Sequence, residues 1–190
     1  MMMRPMDTRL KTRMAPSLAL LTIANIFHKK HTVIIENENI EDINFNEVVD
    51  IVGITVTVDV IARAIEIAKV YQSKGIPVVV GGIHITAFPE GAKKYFDALS
   101  IGLAEKTWPD IIRDFQDGKL KKIYWCNEEI KGSEIISPGY HLIDTKKYLY
   151  CNVISTSRGC PFQCDFCYNS CEAYKKLYIK RGIKYEDKKY

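Results

Sequence analysis

The sequence contains no long apolar run. None of its stretches approaches the roughly 18–20 consecutive apolar residues that a membrane-spanning helix needs, so no span is expected. The first 14 residues carry Arg4, Arg9, Lys11 and Arg13 without a continuous apolar core, which is not the pattern of a secretory signal. Internal repeats, low-complexity tracts and a phosphate loop after a first strand are also missing. The charge imbalance is small, +4 at neutral pH, which gives no basis for a nucleic-acid partner. Its one dense patch, Lys175, Lys176, Lys180, Arg181, Lys184, Lys188 and Lys189, reads as a solvated tail. A cytoplasmic location is the expectation, and there thiols stay reduced.

What is present is a core-forming chain. Apolar residues make up 47% and charged residues 26%, which argues against disorder. At 190 residues the length suits one domain and part of a second. Up to residue 125 the pattern alternates between helix and strand. Pro16 to Lys29 reads as a helix, with Leu20, Ile23, Ala24 and Phe27 at helical spacing. Thr32 to Ile35 is β-branched and predicts a strand; Asp50 to Val56 predicts a second. Val58 to Ser73 predicts a helix capped by Thr57 or Asp59 and ended by Gly75. Pro77 to Val80 predicts a strand, Glu90 to Phe96 a short helix, and Ala98 to Gly102 a strand. Glu105 to Gln116 predicts a helix with Gly118 beyond it, and Lys122 to Trp125 an edge strand.

Such alternation gives an α/β fold with a Rossmann-like (flavodoxin-like) parallel sheet. Its ligands bind beyond the C-terminal ends of the strands. Those ends carry Thr55, Thr57, Gly81, Gly82, His84, Gly102 and Glu105. Glycines there allow a flat ligand close to the backbone, or simply make a tight turn. An apolar first strand for the middle of the sheet is not evident in residues 1–15, so either the sheet lacks it or it lies upstream.

The densest chemistry comes late. Six cysteines are present, and four of them, Cys160, Cys164, Cys167 and Cys171, fall within twelve residues. In a reducing compartment that clustering favours metal ligation. The segment Arg158-Gly159-Cys160-Pro161-Phe162-Gln163-Cys164-Asp165-Phe166-Cys167 has the spacing Cys-x3-Cys-x2-Cys and follows a predicted strand, Asn152 to Ser157. Three thiolates on so short a loop can converge on iron–sulfur iron and leave one iron open. The alternative is a closed zinc site with Cys171 as fourth ligand. Cys126 and Cys151 read as bystanders.

This segment resembles the cluster loop of radical S-adenosylmethionine enzymes. The resemblance implies that Cys160, Cys164 and Cys167 hold a [4Fe-4S] cluster whose open iron chelates S-adenosylmethionine. Reductive cleavage would then release a 5′-deoxyadenosyl radical, with Phe166 against the adenine. It implies a reducing partner such as flavodoxin or ferredoxin and a small-molecule substrate that the sequence does not name. Pro16 to Ala24, Val52 to Thr57, Val79 to His84 and Ile101 to Glu105 resemble the cobalamin-binding domain fused ahead of many such enzymes. On that resemblance residues 14–126 are a cobalamin-binding-like domain, 127–150 a linker, and 151–190 the first strand and cluster loop of a radical domain. Thr55, Thr57, Gly81, Gly82, Gly102 and Glu105 become the cobalamin contacts, and methyl transfer to an unactivated carbon becomes the expected reaction. The Asp-x-His-x-x-Gly ligand motif of some cobalamin domains is absent. Only 23 residues follow Cys167, too few for a barrel, so a truncated product or fragment is expected. The rival function is a non-catalytic corrinoid- or nucleotide-binding module with a degenerate or zinc-binding tail.

Overall fold

The structure, a computed structural model, describes residues 15–126, 134–151, 153–155, 157–158, 164–167 and 179–180. The chain divides into two compact units. One takes in the described parts of residues 1–48 and 136–154, the other those of 49–135 and 155–190.

The first unit is built on helix α1, Leu18–Phe27. Ser17 is its N-cap, and the Ser17 hydroxyl accepts from the Leu20 N–H at 3.5 Å. Pro16 therefore stands before the cap and not in the first turn. The buried face is Leu21, Thr22 and Ala24. Thr22 is tolerated inside because its hydroxyl donates to the Leu18 carbonyl at 2.7 Å. Residues 137–142 are pinned to this helix. The Asn25 side-chain amide donates to the Ser137 carbonyl at 3.0 Å, and the Gly139 N–H donates to the Leu21 carbonyl at 3.0 Å. A Cβ at Gly139 would lie 3.0 Å from that of Asn25, so glycine eases this approach. Two 3-10 turns follow, Tyr140–Leu142 and Thr145–Lys147. Thr32 to Ile35 forms no strand, against the sequence expectation. Val33 and Ile34 are exposed, and β-branched propensity without a pairing partner does not make a strand.

The second unit holds strands β1 (Val52–Thr55), β2 (Val78–Gly81), β3 (Ala98–Ile101) and β4 (Ile123–Trp125), all parallel, in the order β1-β2-β3-β4. The α/β parallel sheet expected from the sequence is thus observed. Helices α2 (Ile61–Ser73), α3 (Ile83–Ala87), α4 (Pro89–Ala92) and α5 (Ala104–Gln116) connect the strands. Every residue of β3, and all three valines of β2, are buried, so both faces of the central strands are covered. One face carries Val79, Ala98 and Tyr124 against Ile111 and Trp108 of α5. Gly53 of β1 leaves room for that indole, since a Cβ there would fall 2.5 Å from Trp108 Cη2.

The order never reverses among the described strands. A switch-point crevice between strands running outward in opposite directions is therefore not formed by these four. The expected cap of α2 is also corrected. The Thr57 hydroxyl donates to the Asp59 carboxylate at 2.5 Å, so these two satisfy each other. Val60 occupies the N-cap without a side-chain bond. Gly75 and Gly118 follow α2 and α5 at φ +76° and +67°, as expected of helix-ending glycines. A two-residue strand, β5 (Ser157–Arg158), pairs antiparallel with β6 (Ile179–Lys180). Sequence predicted the strand earlier, over 152–157, and gave no partner for it.

Candidate functional site

Because β1, β2 and β3 are parallel, their C-terminal ends share one sheet edge. Thr55 pairs with Gly81 in register, and Gly81 lies beside Ser100. Gly82 has φ +103° and ψ 178°, a region in practice reserved for glycine. A Cβ there would meet the Val56 carbonyl oxygen at 2.7 Å and Val56 N at 2.8 Å. Two hydrogen bonds fasten the turn: Val56 N–H donates to the Gly81 carbonyl at 2.8 Å, and His84 N–H to the Val56 carbonyl at 3.2 Å. The glycine requirement at Gly82 is thus met by the chain's own backbone, the tight-turn alternative. The His84 ring stacks on Phe88, centroids 6.2 Å apart.

The third loop joins the same edge. Gly102, at φ +84°, donates its N–H to the Thr86 hydroxyl at 3.1 Å. A Cβ at Gly102 would lie 3.1 Å from that of buried Cys126. Glu105 stands in the first turn of α5, where a carboxylate suits the helix dipole. Beneath the edge, Ser100 and Thr107 share a buried hydroxyl bond of 2.6 Å. The structure therefore brings together Thr55, Gly81, Gly82 and Gly102. Thr57 is exposed at the rim, and its bond holds the Asp59 carboxyl below the usual carboxylate range. Sequence reasoning missed Thr86, Ser100 and Thr107. A Thr four residues after Gly82 gave no signal, because Gly-Gly-Ile-His read as a loop and not as the start of a helix.

The cysteine loop is described at Cys164, Asp165, Phe166 and Cys167; Cys160 and Cys171 lie outside the described residues. Asp165 and Phe166 form a turn closed by the Cys167 N–H on the Cys164 carbonyl at 3.0 Å. Both thiols are free, Cys164 exposed and Cys167 half-buried. Phe166 between them is 92% exposed. No group of three or more metal-ligating side chains is assembled among the described residues. Cys151 is engaged elsewhere, its thiol donating to the Thr145 carbonyl at 2.8 Å. Among the described residues no helix is long and apolar enough to cross a membrane.

No family model matches the sequence. The chain is 30% identical over 158 residues to the bacteriochlorophyllide d C-8(2)-methyltransferase of Chlorobaculum tepidum, covering 79% of this chain and 35% of that protein. It is 31% identical over 193 aligned positions to the uncharacterized methyltransferase PH0819 of Pyrococcus horikoshii, covering 85% of this chain and 42% of that protein. The chain thus spans well under half the length of these curated relatives, which are methyltransferases by name. A solved structure, the N-terminal domain of the hypothetical protein TM0182 of Thermotoga maritima, shares 25% identity over 57% of this chain and 88% of that one, at a TM-score of 0.37.

Proposed function

We propose that this chain carries the cluster loop, and a corrinoid-binding-like sheet ahead of it, of a radical S-adenosylmethionine methyltransferase acting on carbon. The observation that carries the reading is the Cys164–Cys167 turn, with two free thiols and an exposed aromatic between them. The relatives support the reaction class, since one is named for methylation at a carbon position.

The residues present fit an iron–sulfur cluster. A closed turn holds Cys164 and Cys167 three residues apart, and neither thiol is used in a disulfide. Cys160 is the third ligand of the reading. When bound, a [4Fe-4S] cluster with one open iron would supply the electron that cleaves S-adenosylmethionine to a 5′-deoxyadenosyl radical, drawn from a flavodoxin- or ferredoxin-type donor. Phe166 offers the face on which the adenine would stack. The sheet edge offers Thr55 and Thr57 as hydroxyl partners for a corrinoid or nucleotide tail, with Gly81, Gly82, Gly102 and Glu105 around them. Gly82 shapes this edge by allowing the turn rather than by leaving a vacancy beside itself.

The test is anaerobic reconstitution with iron and sulfide, then low-temperature EPR of the dithionite-reduced protein with and without S-adenosylmethionine. A [4Fe-4S] signal that shifts with the nucleotide is expected, and its loss in Cys164→Ala and Cys167→Ala. A colourless protein holding stoichiometric zinc would overturn the reading in favour of a closed zinc site.

A further inference from the structure

His28 and His141 belong to the same unit and lie 113 residues apart in the sequence, at the C-cap of α1 and in the 3-10 turn Tyr140–Leu142. Their ring centroids are 5.0 Å apart, with ring planes at 71°. The His28 Nδ1 atom sits 2.9 Å from the Asn25 carbonyl oxygen. A carbonyl only accepts, so Nδ1 carries the hydrogen and Nε2 keeps its lone pair. A ring nitrogen fixed on a backbone carbonyl is the usual support of a metal-ligating histidine.

From these observations we propose that His28 and His141 form a two-histidine site for a late first-row divalent cation, such as Cu²⁺ or Zn²⁺, completed by water. The spacing suits the chemistry. With metal–nitrogen bonds of about 2.0–2.1 Å, two imidazoles have centroids about 5.2 Å apart on a tetrahedral Zn²⁺ and about 4.5 Å apart at adjacent positions of a tetragonal Cu²⁺, and the observed 5.0 Å lies between them. Imidazole nitrogen is a preferred donor for these ions. The approach is set by bonds outside the two rings, from the Asn25 side-chain amide to the Ser137 carbonyl and from the Gly139 N–H to the Leu21 carbonyl. His28 is the C-cap of α1, whose last turn has no basic side chain, so the negative end of the helix dipole favours a cation there. His141 is exposed, which leaves the ion a route in and water to fill its remaining positions. Bound metal would staple residues 140–142 to α1. The site shares no residue with the cysteine loop or the sheet edge.

The experiment uses the full chain with accessible thiols alkylated by iodoacetamide under native conditions, so that cysteines do not compete. Cu²⁺ is added at pH 7.5, up to one equivalent, and EPR reads the superhyperfine splitting from coordinated nitrogen. A pattern from two imidazole nitrogens is expected, lost in His28→Gln and in His141→Gln. It should persist in His31→Gln, whose ring packs on Phe27 at 5.8 Å. Far-UV circular dichroism checks that α1 survives, and the exposed His141 variant keeps the test decisive if His28→Gln does not fold. A two-nitrogen pattern unchanged in either variant, or no copper bound at about 100 μM protein, would overturn the proposal.

Discussion

Replacing Gly82 by alanine tests whether the turn at the end of β2 is what the backbone makes it. At φ +103° and ψ 178° a non-glycine residue costs about 1–3 kcal/mol. The new Cβ would also press on the Val56 carbonyl oxygen at 2.7 Å and Val56 N at 2.8 Å. Neither atom can withdraw without lengthening the Val56–Gly81 and His84–Val56 hydrogen bonds, each with a net contribution of about 1 kcal/mol. The sum is roughly 3–5 kcal/mol. Gly75 supplies the internal comparison. It too has positive φ, +76°, but a Cβ there meets nothing within 4 Å. Gly75→Ala should therefore cost only the left-handed penalty, about 1–2 kcal/mol. In urea denaturation the Gly82 variant should lose at least about 1 kcal/mol more stability than the Gly75 variant at unchanged slope. Equal losses within about 0.5 kcal/mol would refute the reasoning, because they would mean that the close approach to Val56 does not exist.

Three further outcomes follow from the same description. Thr107→Val should cost about 1–3 kcal/mol by stranding the buried Ser100 hydroxyl, and adding Ser100→Ala should recover most of it; chemical denaturation of the double-mutant cycle checks this. Asp114 bonds Lys121 at 2.9 Å and the Tyr124 hydroxyl at 3.0 Å, and its carboxyl is held below the usual range, chiefly by Lys121 and against the effect of burial. Its stabilisation is then complete above the ordinary carboxylate pKa, about 3.9, and is lost as pH falls through the lower native value. Asp114→Asn should lower Tm near neutrality and flatten its acid limb, the two curves converging as pH falls through that lowered value. If cluster binding is lost in Cys164→Ala, urea stability of the sheet unit should be unchanged, since that thiol is exposed.

The sheet was legible because its signals are redundant. Val78 to Val80 is apolar on both faces, is preceded by Pro77 and is closed by a glycine pair, so length and punctuation agree. Helix α2 was legible from Gly75 at its end, and its buried face includes Ala64, Ala68 and Tyr71. What failed depended on partners. Thr32 to Ile35 has the composition of a strand but no pairing neighbour among the described residues. Thr57 and Asp59 have the composition of caps but bond each other first. Helix α3 was hidden because Gly-Gly reads as a break, when Gly82 serves as the turn that starts it. At the candidate site the ring of strand ends was legible from topology alone. The hydroxyls that tie those ends together were not, because a buried Ser or Thr leaves no periodic mark.

The bonds from Asn25 to Ser137 and from Gly139 to Leu21 also set an order of events. The residues they join are separated by more than a hundred positions, and the whole of the four-stranded sheet lies between them. On a ribosome, α1 emerges first but meets its packing partner last. The sheet has by then left the exit tunnel and can fold as an insertion. The entropy of closing a loop grows only slowly with its length, by about 0.6 kcal/mol per doubling. A chain cut after the sheet would lack both of these bonds to α1.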